Sequence, residues 1–229
     1  PTRGEDGLSL IGLVNSGSFI LQSGDSGYDS EDLYAFETGY RFKFEERFSL
    51  DLTAYLNRYN NARTFNAVAD STPNVGGNFQ ASNDGHGQVY GFEAASNLNI
   101  NENWRLTAAY TFIKLNLHVK ETGLVYLGDL ENGENTAPEH QFNIRSHLNL
   151  TDKIELDNIA YYVDNVRQHN IPQYIRSDTR IAYNFDDRLS LAIIGQNLTD
   201  RYHTEFSQSL YSEAVQIGRS VHGTLSYKF

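Results

Sequence analysis

Hydrophobic residues alternate with polar ones through most of this chain, and this period of two constrains the fold more than any other feature of the sequence. Between Tyr34 and Phe44 the even positions are aromatic except Thr38, whereas the odd positions are charged or small. Because successive side chains of a β-strand point to opposite faces, the pattern predicts a strand with one apolar and one polar face.

The same alternation recurs often enough to predict nine strands. Their approximate bounds are 34–44, 48–59, 90–100, 104–112, 140–150, 154–163, 175–185, 189–198 and 221–229. The sixth strand is the least regular, because Asn158 falls on its apolar face. Residues 1–30 contain two apolar stretches that could supply a tenth strand, but their flanks are loop-like and we expect a long external loop there.

The connections between the predicted strands alternate in length. Tight turns lie at 45–47, 101–103, 151–153 and 186–187, and longer connections lie at 60–87, 118–138, 165–172 and 199–215. Short turns on one side, long loops on the other and aromatic residues near the strand ends are typical of an outer-membrane barrel. A soluble β-sandwich also alternates, but its apolar face favours Val, Ile and Leu.

The composition agrees with an outer-membrane β-barrel. The 229 residues carry a formal net charge of −11, which argues against nucleic-acid binding, and contain no Cys, which excludes disulfides and thiolate metal sites. No segment approaches the about 20 apolar residues of a membrane helix. We therefore predict an all-β fold, an antiparallel transmembrane β-barrel segment of about nine to ten strands. Nine strands alone would leave two unpaired edges in lipid, so further strands are expected to complete the barrel.

Five segments resemble motifs of the TonB-dependent outer-membrane receptors, and together they cover nearly the whole chain. They are Tyr34–Arg41, Tyr90–Glu93, Pro138–Phe142, the Asn197-Leu198-Thr199-Asp200 run with Tyr202, and Gly218–Phe229 with its terminal aromatic residue. The resemblance implies that residues 1–229 are the C-terminal part of a barrel of about 22 strands, with residues 1–30 in an extracellular loop. No plug domain and no TonB-contacting segment is recognised, so we expect a piece of a longer protein.

The function implied by this resemblance is active import across the Gram-negative outer membrane, driven by TonB, of a scarce nutrient such as a ferric siderophore. The implied partners are the receptor's own plug domain, TonB acting through that plug, a ferric siderophore or similar small ligand, and outer-membrane lipid or lipopolysaccharide. No cofactor is expected. A passive porin-like channel and a structural or adhesive barrel without transport remain open as alternatives.

Two sets of inward-facing residues are candidates for function. Glu37 and Glu93 match family positions whose glutamates accept arginines from the plug, and the alternative is local pairing with wall cations such as Arg41, Lys43 or Arg105. Candidate ligand contacts near the loop side are Tyr55, Tyr59, Gln141, Arg145, Arg176 and Gln196. Arg and Tyr suit an anionic or catecholate-type chelate through charge-assisted hydrogen bonds and stacking. The alternative is a polar wall that never touches cargo.

Catalytic and metal-binding patterns are not recognised in the sequence. It has no Gly-x-Ser-x-Gly, phosphate loop or His-Glu-x-x-His motif, so we expect no enzyme and no catalytic residues. The acidic segment from Glu121 to Glu134 lacks the spacing of a calcium loop and is expected to be solvated. Seven histidines form no tight ligand cluster along the chain, which predicts no metal site: His86, His118, His140, His147, His169, His203 and His222.

Overall fold

The computed structural model describes residues 10–15, 18–68, 75–120, 132–206 and 215–229, which are mostly extended. The strands are β1 (Leu10–Asn15), β2 (Ser18–Ser23), β3 (Asp32–Phe44), β4 (Phe48–Val68), β5 (Val75–Asn101), β6 (Trp104–Val119), β7 (His140–Thr151), β8 (Ile154–Val163), β9 (Tyr174–Asn184), β10 (Leu189–Gln196), β11 (Tyr202–Phe206), β12 (Val215–Gly218) and β13 (Ser220–Tyr227). Short 3-10 turns lie at Asn132–Asn135 and Arg167–His169. Within the described ranges, no helix is long and apolar enough to cross a membrane.

Nine of these strands follow one another in a single sheet. β3 to β10 are hydrogen-bonded in chain order, and β13 completes the order beside β10. The pairs from β6 onward are antiparallel, with Trp104 opposite Leu148 and Leu189 opposite Tyr227. Each of the nine strands overlaps one predicted strand, although β4, β5 and β6 are longer than predicted, and this confirms the antiparallel β-barrel fold class. β3 and β13 each pair with one neighbour and therefore end the order.

The chain divides into two units by its internal contacts. Unit 1 comprises Pro1–Phe36, Tyr55–Tyr90 and Lys114–Glu134, and unit 2 comprises Glu37–Ala54, Gly91–Ile113 and Asn135–Phe229. All four tight turns lie in unit 2, whereas the whole of the longest predicted loop, 60–87, lies in unit 1.

Side-chain acceptors close the tight turns of unit 2. In the β9–β10 turn, Asp186 Oδ1 accepts the backbone N–H groups of Arg188 at 2.8 Å and Leu189 at 2.9 Å. These two hydrogen bonds hold the pKa of the Asp186 carboxyl below its usual range. In the β7–β8 turn, Thr151 Oγ1 accepts from the N–H groups of Lys153 and Ile154. Such local bonds supply partners that the strand ladder cannot provide at a reversal.

The apolar face of unit 2 is exposed. Large side chains along it, including Phe42, Phe142, Ile181 and Leu225, keep more than a third of their surface accessible. On the opposite face the small Ala182 and Ala192 lie directly opposite each other and are buried. An apolar surface of this extent is expected of a sheet that faces lipid, with its polar face turned to the lumen.

A hydrogen-bonded polar patch accounts for the irregular pattern of β8. Asn158 lies opposite Ser146 of β7 and Thr179 of β9 on the apolar face. The Thr179 hydroxyl donates to Asn158 Oδ1 at 2.8 Å, and Trp104 Nε1 donates to Ser146 Oγ at 3.0 Å. The irregularity seen in the sequence thus corresponds to a polar patch that contains two side-chain hydrogen bonds within the sheet.

The prediction of a loop at 60–87 is wrong, because in unit 1 β4 continues to Val68 and β5 begins at Val75. Polar residues lie on both faces here, so the sequence loses its alternation although the backbone stays extended. Asn83 ties this unit together: its Oδ1 accepts the Asp29 N–H at 2.6 Å, and its Nδ2 donates to the Asn61 carbonyl at 2.8 Å.

The apolar stretches within residues 1–30 form a hairpin rather than one wall strand. β2 pairs antiparallel with β1 and parallel with the start of β5, where Ile20 lies opposite Gly77. A parallel neighbour does not continue the antiparallel order of the nine strands. The placement of residues 1–30 in an extracellular loop stays a prediction, and residues 1–9, 16 and 17 lie outside the described part. Most of the acidic segment Glu121 to Glu134 also lies outside it.

The predicted connection at 199–215 contains a second hairpin. β11 pairs antiparallel with β12, with Tyr202 opposite Gly218 and His203 opposite Ile217. Residues 207–214 lie outside the described part of the chain. This hairpin follows directly on the Asn197-Leu198-Thr199-Asp200 run, which places that run between the wall and a loop.

Candidate functional site on the polar face

Two glutamates on the polar face of unit 2 differ from the other acidic residues of its strands. Glu37 on β3 and Glu93 on β5 are exposed, and neither carboxylate has a hydrogen bond or ion pair with any described residue. The remaining strand carboxylates of unit 2 all have such a partner: Asp51, Glu155, Asp157, Asp178 and Glu205. The wall therefore leaves two negative charges unneutralised.

The wall cations named as alternative partners of Glu37 and Glu93 are engaged elsewhere. Arg41 pairs with Asp51, and Lys43 Nζ lies 2.7 Å from Glu46 Oε1. Arg105 Nε donates to Asn99 Oδ1 at 3.1 Å. The local ladder considered from the sequence is thus absent among the described residues of these strands.

A compact charge network on β8 and β9 shows how this face neutralises its acids. Arg180 Nη1 lies 3.0 Å from Glu155 Oε2 and 2.7 Å from Asp157 Oδ2. His147 Nδ1 lies 2.7 Å from Asp157 Oδ1, and Asn184 Nδ2 donates to Glu155 Oε1 at 2.9 Å. These groups stabilise one another and leave no charge of the network without a partner.

The six candidate ligand contacts are divided between the two units. Tyr55 and Tyr59 lie in unit 1, and the other four lie in unit 2. Within unit 2, Gln141 and Arg145 lie on the same face of β7, four residues apart. Arg145 lies opposite Thr107 and Ile159. Gln196 Oε1 accepts from the Ser220 hydroxyl at 3.4 Å. Arg145 makes no hydrogen bond or ion pair with a described residue, so its guanidinium group is available to an anion.

The guanidinium group of Arg176, in contrast, is held by carboxylates of the chain itself. Its guanidinium group donates from Nε and Nη2 to both oxygens of Asp178, at 3.0 and 2.8 Å. Nη1 lies 3.9 Å from Glu205 Oε1, and the group lies 5.8 Å from the ring centroid of Tyr161. A bidentate pair of this kind fixes the side chain and neutralises its charge.

Sequence reasoning missed the role of Asn197, which holds the β11–β12 hairpin to the wall. Its φ of 53° is left-handed, a conformation that Asn tolerates, and its side chain is completely buried. Its N–H donates to Asp178 Oδ1 at 2.9 Å, and its Nδ2 donates to the Ile217 carbonyl at 3.0 Å. His203 Nδ1 lies 3.2 Å from Asn197 Oδ1. An Asn directly after a strand and before a polar turn was the available signal.

We call Arg176, Asp178, Asn197, His203 and Glu205 the anchor cluster. Its members come from β9, the end of β10 and β11. His203 Nε2 lies 2.8 Å from Glu205 Oε1, and its ring stacks on Tyr174 at a centroid distance of 4.2 Å. The cluster therefore joins the last hairpin to two wall strands by hydrogen bonds of Asn197, by the Arg176–Glu205 ion pair and by ring stacking.

The described residues contain no group of three or more His, Asp or Glu side chains that could hold a metal ion. What they do contain is a sheet with one exposed apolar face and one charged face. That combination defines the class of the chain as the wall of a membrane β-barrel.

Comparison with known proteins identifies the family within this class. A family model described as TonB dependent receptor-like, beta-barrel, matches residues 1–198. The chain therefore belongs to the TonB-dependent receptor β-barrel family, which confirms the resemblance drawn from its motifs. The members compared with it are receptors and transporters, in agreement with the prediction that the chain is not an enzyme.

Three relatives illustrate the match. The probable TonB-dependent siderophore receptor PiuA of Acinetobacter baumannii is 25% identical over 237 residues, covering 96% of this chain and 30% of the relative. The ferric-catecholate import receptor Fiu of E. coli K12 has a TM-score of 0.70 at 19% identity, covering 100% of this chain and 31% of Fiu. The siderophore receptor PirA of A. baumannii has a TM-score of 0.65 at 17% identity, covering 93% and 34%. The chain thus spans about a third of each.

Proposed function

We propose that the intact receptor containing this chain lies in the outer membrane of a Gram-negative bacterium and imports a ferric siderophore with energy supplied through TonB. The family and the names of the relatives PiuA, PirA and Fiu support this reading. The exposed apolar face of unit 2 supports contact with outer-membrane lipid, including lipopolysaccharide in the outer leaflet.

The observation that carries the proposal is the pair of unpartnered carboxylates at Glu37 and Glu93. A charge enclosed in a protein-filled lumen is costly unless it is paired. Since Arg41, Lys43 and Arg105 make their contacts with other residues, partners for the two carboxylates would come from outside these strands. Arginines of a plug domain in the lumen would meet this need. An open, water-filled pore would not require such partners, so the pair favours a plugged receptor over a porin-like channel.

The ligand surface of the proposed receptor includes five of the six inner-face candidates. Arg145 has an uncommitted guanidinium group and lies on the same face of β7 as Gln141, four residues further along the strand. We infer that Arg145, with Gln141, Gln196, Tyr55 and Tyr59, faces an anionic ferric chelate. Arg176 contributes indirectly, because its donors toward Asp178 and Glu205 hold the adjacent hairpin in place.

The test is uptake of a radiolabelled ferric siderophore by a strain from which the receptor gene has been deleted. A catecholate and a hydroxamate chelate are compared, each with the gene restored on a plasmid, in backgrounds with and without TonB. We expect the deletion to abolish uptake of one chelate class, the plasmid to restore it, and loss of TonB to remove it again.

Two results would contradict the proposal. Restored uptake that persists without TonB, together with ligand-independent conductance of the purified receptor in planar bilayers, would indicate a passive channel. Unchanged uptake of every chelate in the deletion strain, with normal levels of the other receptors, would indicate a structural or adhesive barrel.

A further inference from the structure

Two histidines in unit 1 face each other across β5 and β6. The Lys120 N–H donates to the Asp84 carbonyl at 2.9 Å, which fixes the pairing of these strands. Two residues further along each strand, toward their shared turn, lie His86 and His118. Their rings are in contact, with centroids 5.7 Å apart and planes inclined by 49°. Directly opposite positions on one face bring the Cβ atoms of two residues within about 5.5 Å of each other.

Neither histidine has a hydrogen bond or ion pair with a described residue. His86 Nδ1 is moreover inaccessible to solvent and has no hydrogen-bond partner in the described part of the chain. A buried nitrogen without a partner costs free energy, so this arrangement needs a further explanation. Three other histidines of the chain do have polar side-chain partners, at Tyr110, Asp157 and Asn197. Among the seven, His86 and His118 are the two whose rings contact each other.

The chemistry of this pair suits one class of ligand. Neutral imidazole nitrogen binds Cu²⁺, Zn²⁺ and Ni²⁺, whereas Ca²⁺ and Mg²⁺ require oxygen ligands. The chain contains no Cys and no Met, so a soft-ligand site for Cu⁺ cannot be built from its side chains. Affinity for divalent first-row ions at nitrogen sites peaks at Cu²⁺.

We propose that His86 and His118 form a two-histidine site for a divalent transition-metal ion, with Cu²⁺ bound most tightly and water completing the coordination. The bound ion cross-links β5 to β6 within unit 1 and gives the orphaned imidazole nitrogen a partner. This site is separate from the residues proposed to face the siderophore, and its metal is bound as a free ion rather than as a ferric chelate.

The test is Cu²⁺ titration of the intact purified receptor in detergent, free of siderophore, followed by electron paramagnetic resonance. We expect a Cu²⁺ signal with superhyperfine splitting from imidazole nitrogens, competed by Zn²⁺. Loss of a ligating histidine should cost at least as much as loss of a residue that merely orients a ligand, so His86→Ala and His118→Ala should each weaken binding at least about tenfold. His169→Ala, in the 3-10 turn Arg167–His169, is the matched control and should leave binding unchanged.

Circular dichroism and gel mobility of unheated samples establish that each variant is folded. Binding that is equally tight in the folded His86→Ala/His118→Ala double variant would overturn the site, because the copper would then be held elsewhere in the receptor. The contact between the two rings would in that case be a packing contact only.

Discussion

At the scale of single residues, the charged side chains of the inner face fall into two groups. Asp157 and Arg180 are neutralised within the wall, where each is within hydrogen-bond distance of an oppositely charged group. Glu37 and Glu93 have no such partner among the described residues. The residues that serve the wall itself can thus be separated from those available to another domain.

Replacement of both unpartnered carboxylates tests whether they hold a plug. Glu37→Gln and Glu93→Gln together keep the shape of the side chains but remove their charge, and each charged hydrogen bond lost is worth about 1.5–3 kcal/mol. We expect reduced siderophore uptake and increased entry of large antibiotics such as vancomycin, measured in the complemented deletion strain. Asp51→Asn is the control, because Asp51 is already paired with Arg41, and it should leave antibiotic entry unchanged. Normal uptake and normal exclusion in the double variant would refute the assignment.

The residue scale also shows where sequence reasoning ends. The inward orientation of Glu37 and Glu93 follows from parity along a strand, and it was predicted. The contact between His86 and His118 could not be predicted, because it depends on the register of two long strands whose alternation is lost in unit 1. Likewise, nothing in the sequence shows that Arg176 is already committed to Asp178 while Arg145 is not.

At the scale of secondary-structure elements, β8 carries an amide, Asn158, on the face that is apolar in its neighbours. Asn158 accepts from Thr179, but its Nδ2 donates to no described residue. Exposure of such a donor to lipid is unfavourable, since the hydrocarbon region offers it no acceptor.

Apolar replacement of this polar pair should therefore stabilise the barrel. In the intact receptor refolded into lipid vesicles, Asn158→Leu with Thr179→Val should raise the free energy of unfolding in urea by about 1 kcal/mol, because both partners are removed together. The single Thr179→Val change leaves the Asn158 oxygen without its donor and should lower it by about 1–2 kcal/mol. A double variant less stable than the single one would show that the patch is required for folding.

The strand bounds show why the wall was predictable and the loop side was not. β9 was predicted within one residue of its observed limits, Tyr174–Asn184, because its apolar and polar residues alternate. β4 and β5 were cut short at about 59 and 90, because their outer parts carry Asn, Asp, Ser and Gly on both faces. Hydrophobic and polar residues alternate along a strand only where its two faces have different environments. The alternation is lost where both faces contact water.

At the scale of the whole molecule, the sheet has two ends. β3 and β13 each leave one edge of backbone groups without a neighbour among the described strands. Open edges are not tolerated in the hydrocarbon region, where every backbone donor and acceptor must be satisfied within the protein.

The isolated 229-residue chain, exported with a signal peptide, should consequently not form a folded monomer in the outer membrane. The measurement is the gel mobility of outer-membrane samples with and without heating, in which folded barrels migrate faster before heating. The intact receptor serves as the positive control. A heat-modifiable, protease-resistant monomer of the isolated chain would contradict the prediction and would require β3 to pair with β13.

The anchor cluster has a consequence for how proteins of this architecture are recognised. The Asn197 side chain is hydrogen-bonded to the Ile217 carbonyl and to His203, and its backbone N–H donates to Asp178. None of these groups is therefore available to contact a ligand. The Asn197-Leu198-Thr199-Asp200 run, one of the five segments that resemble the family, therefore attaches the last hairpin to the wall. Similarity in this segment therefore reflects how the hairpin is attached to the wall, and it does not indicate which chelate a receptor binds.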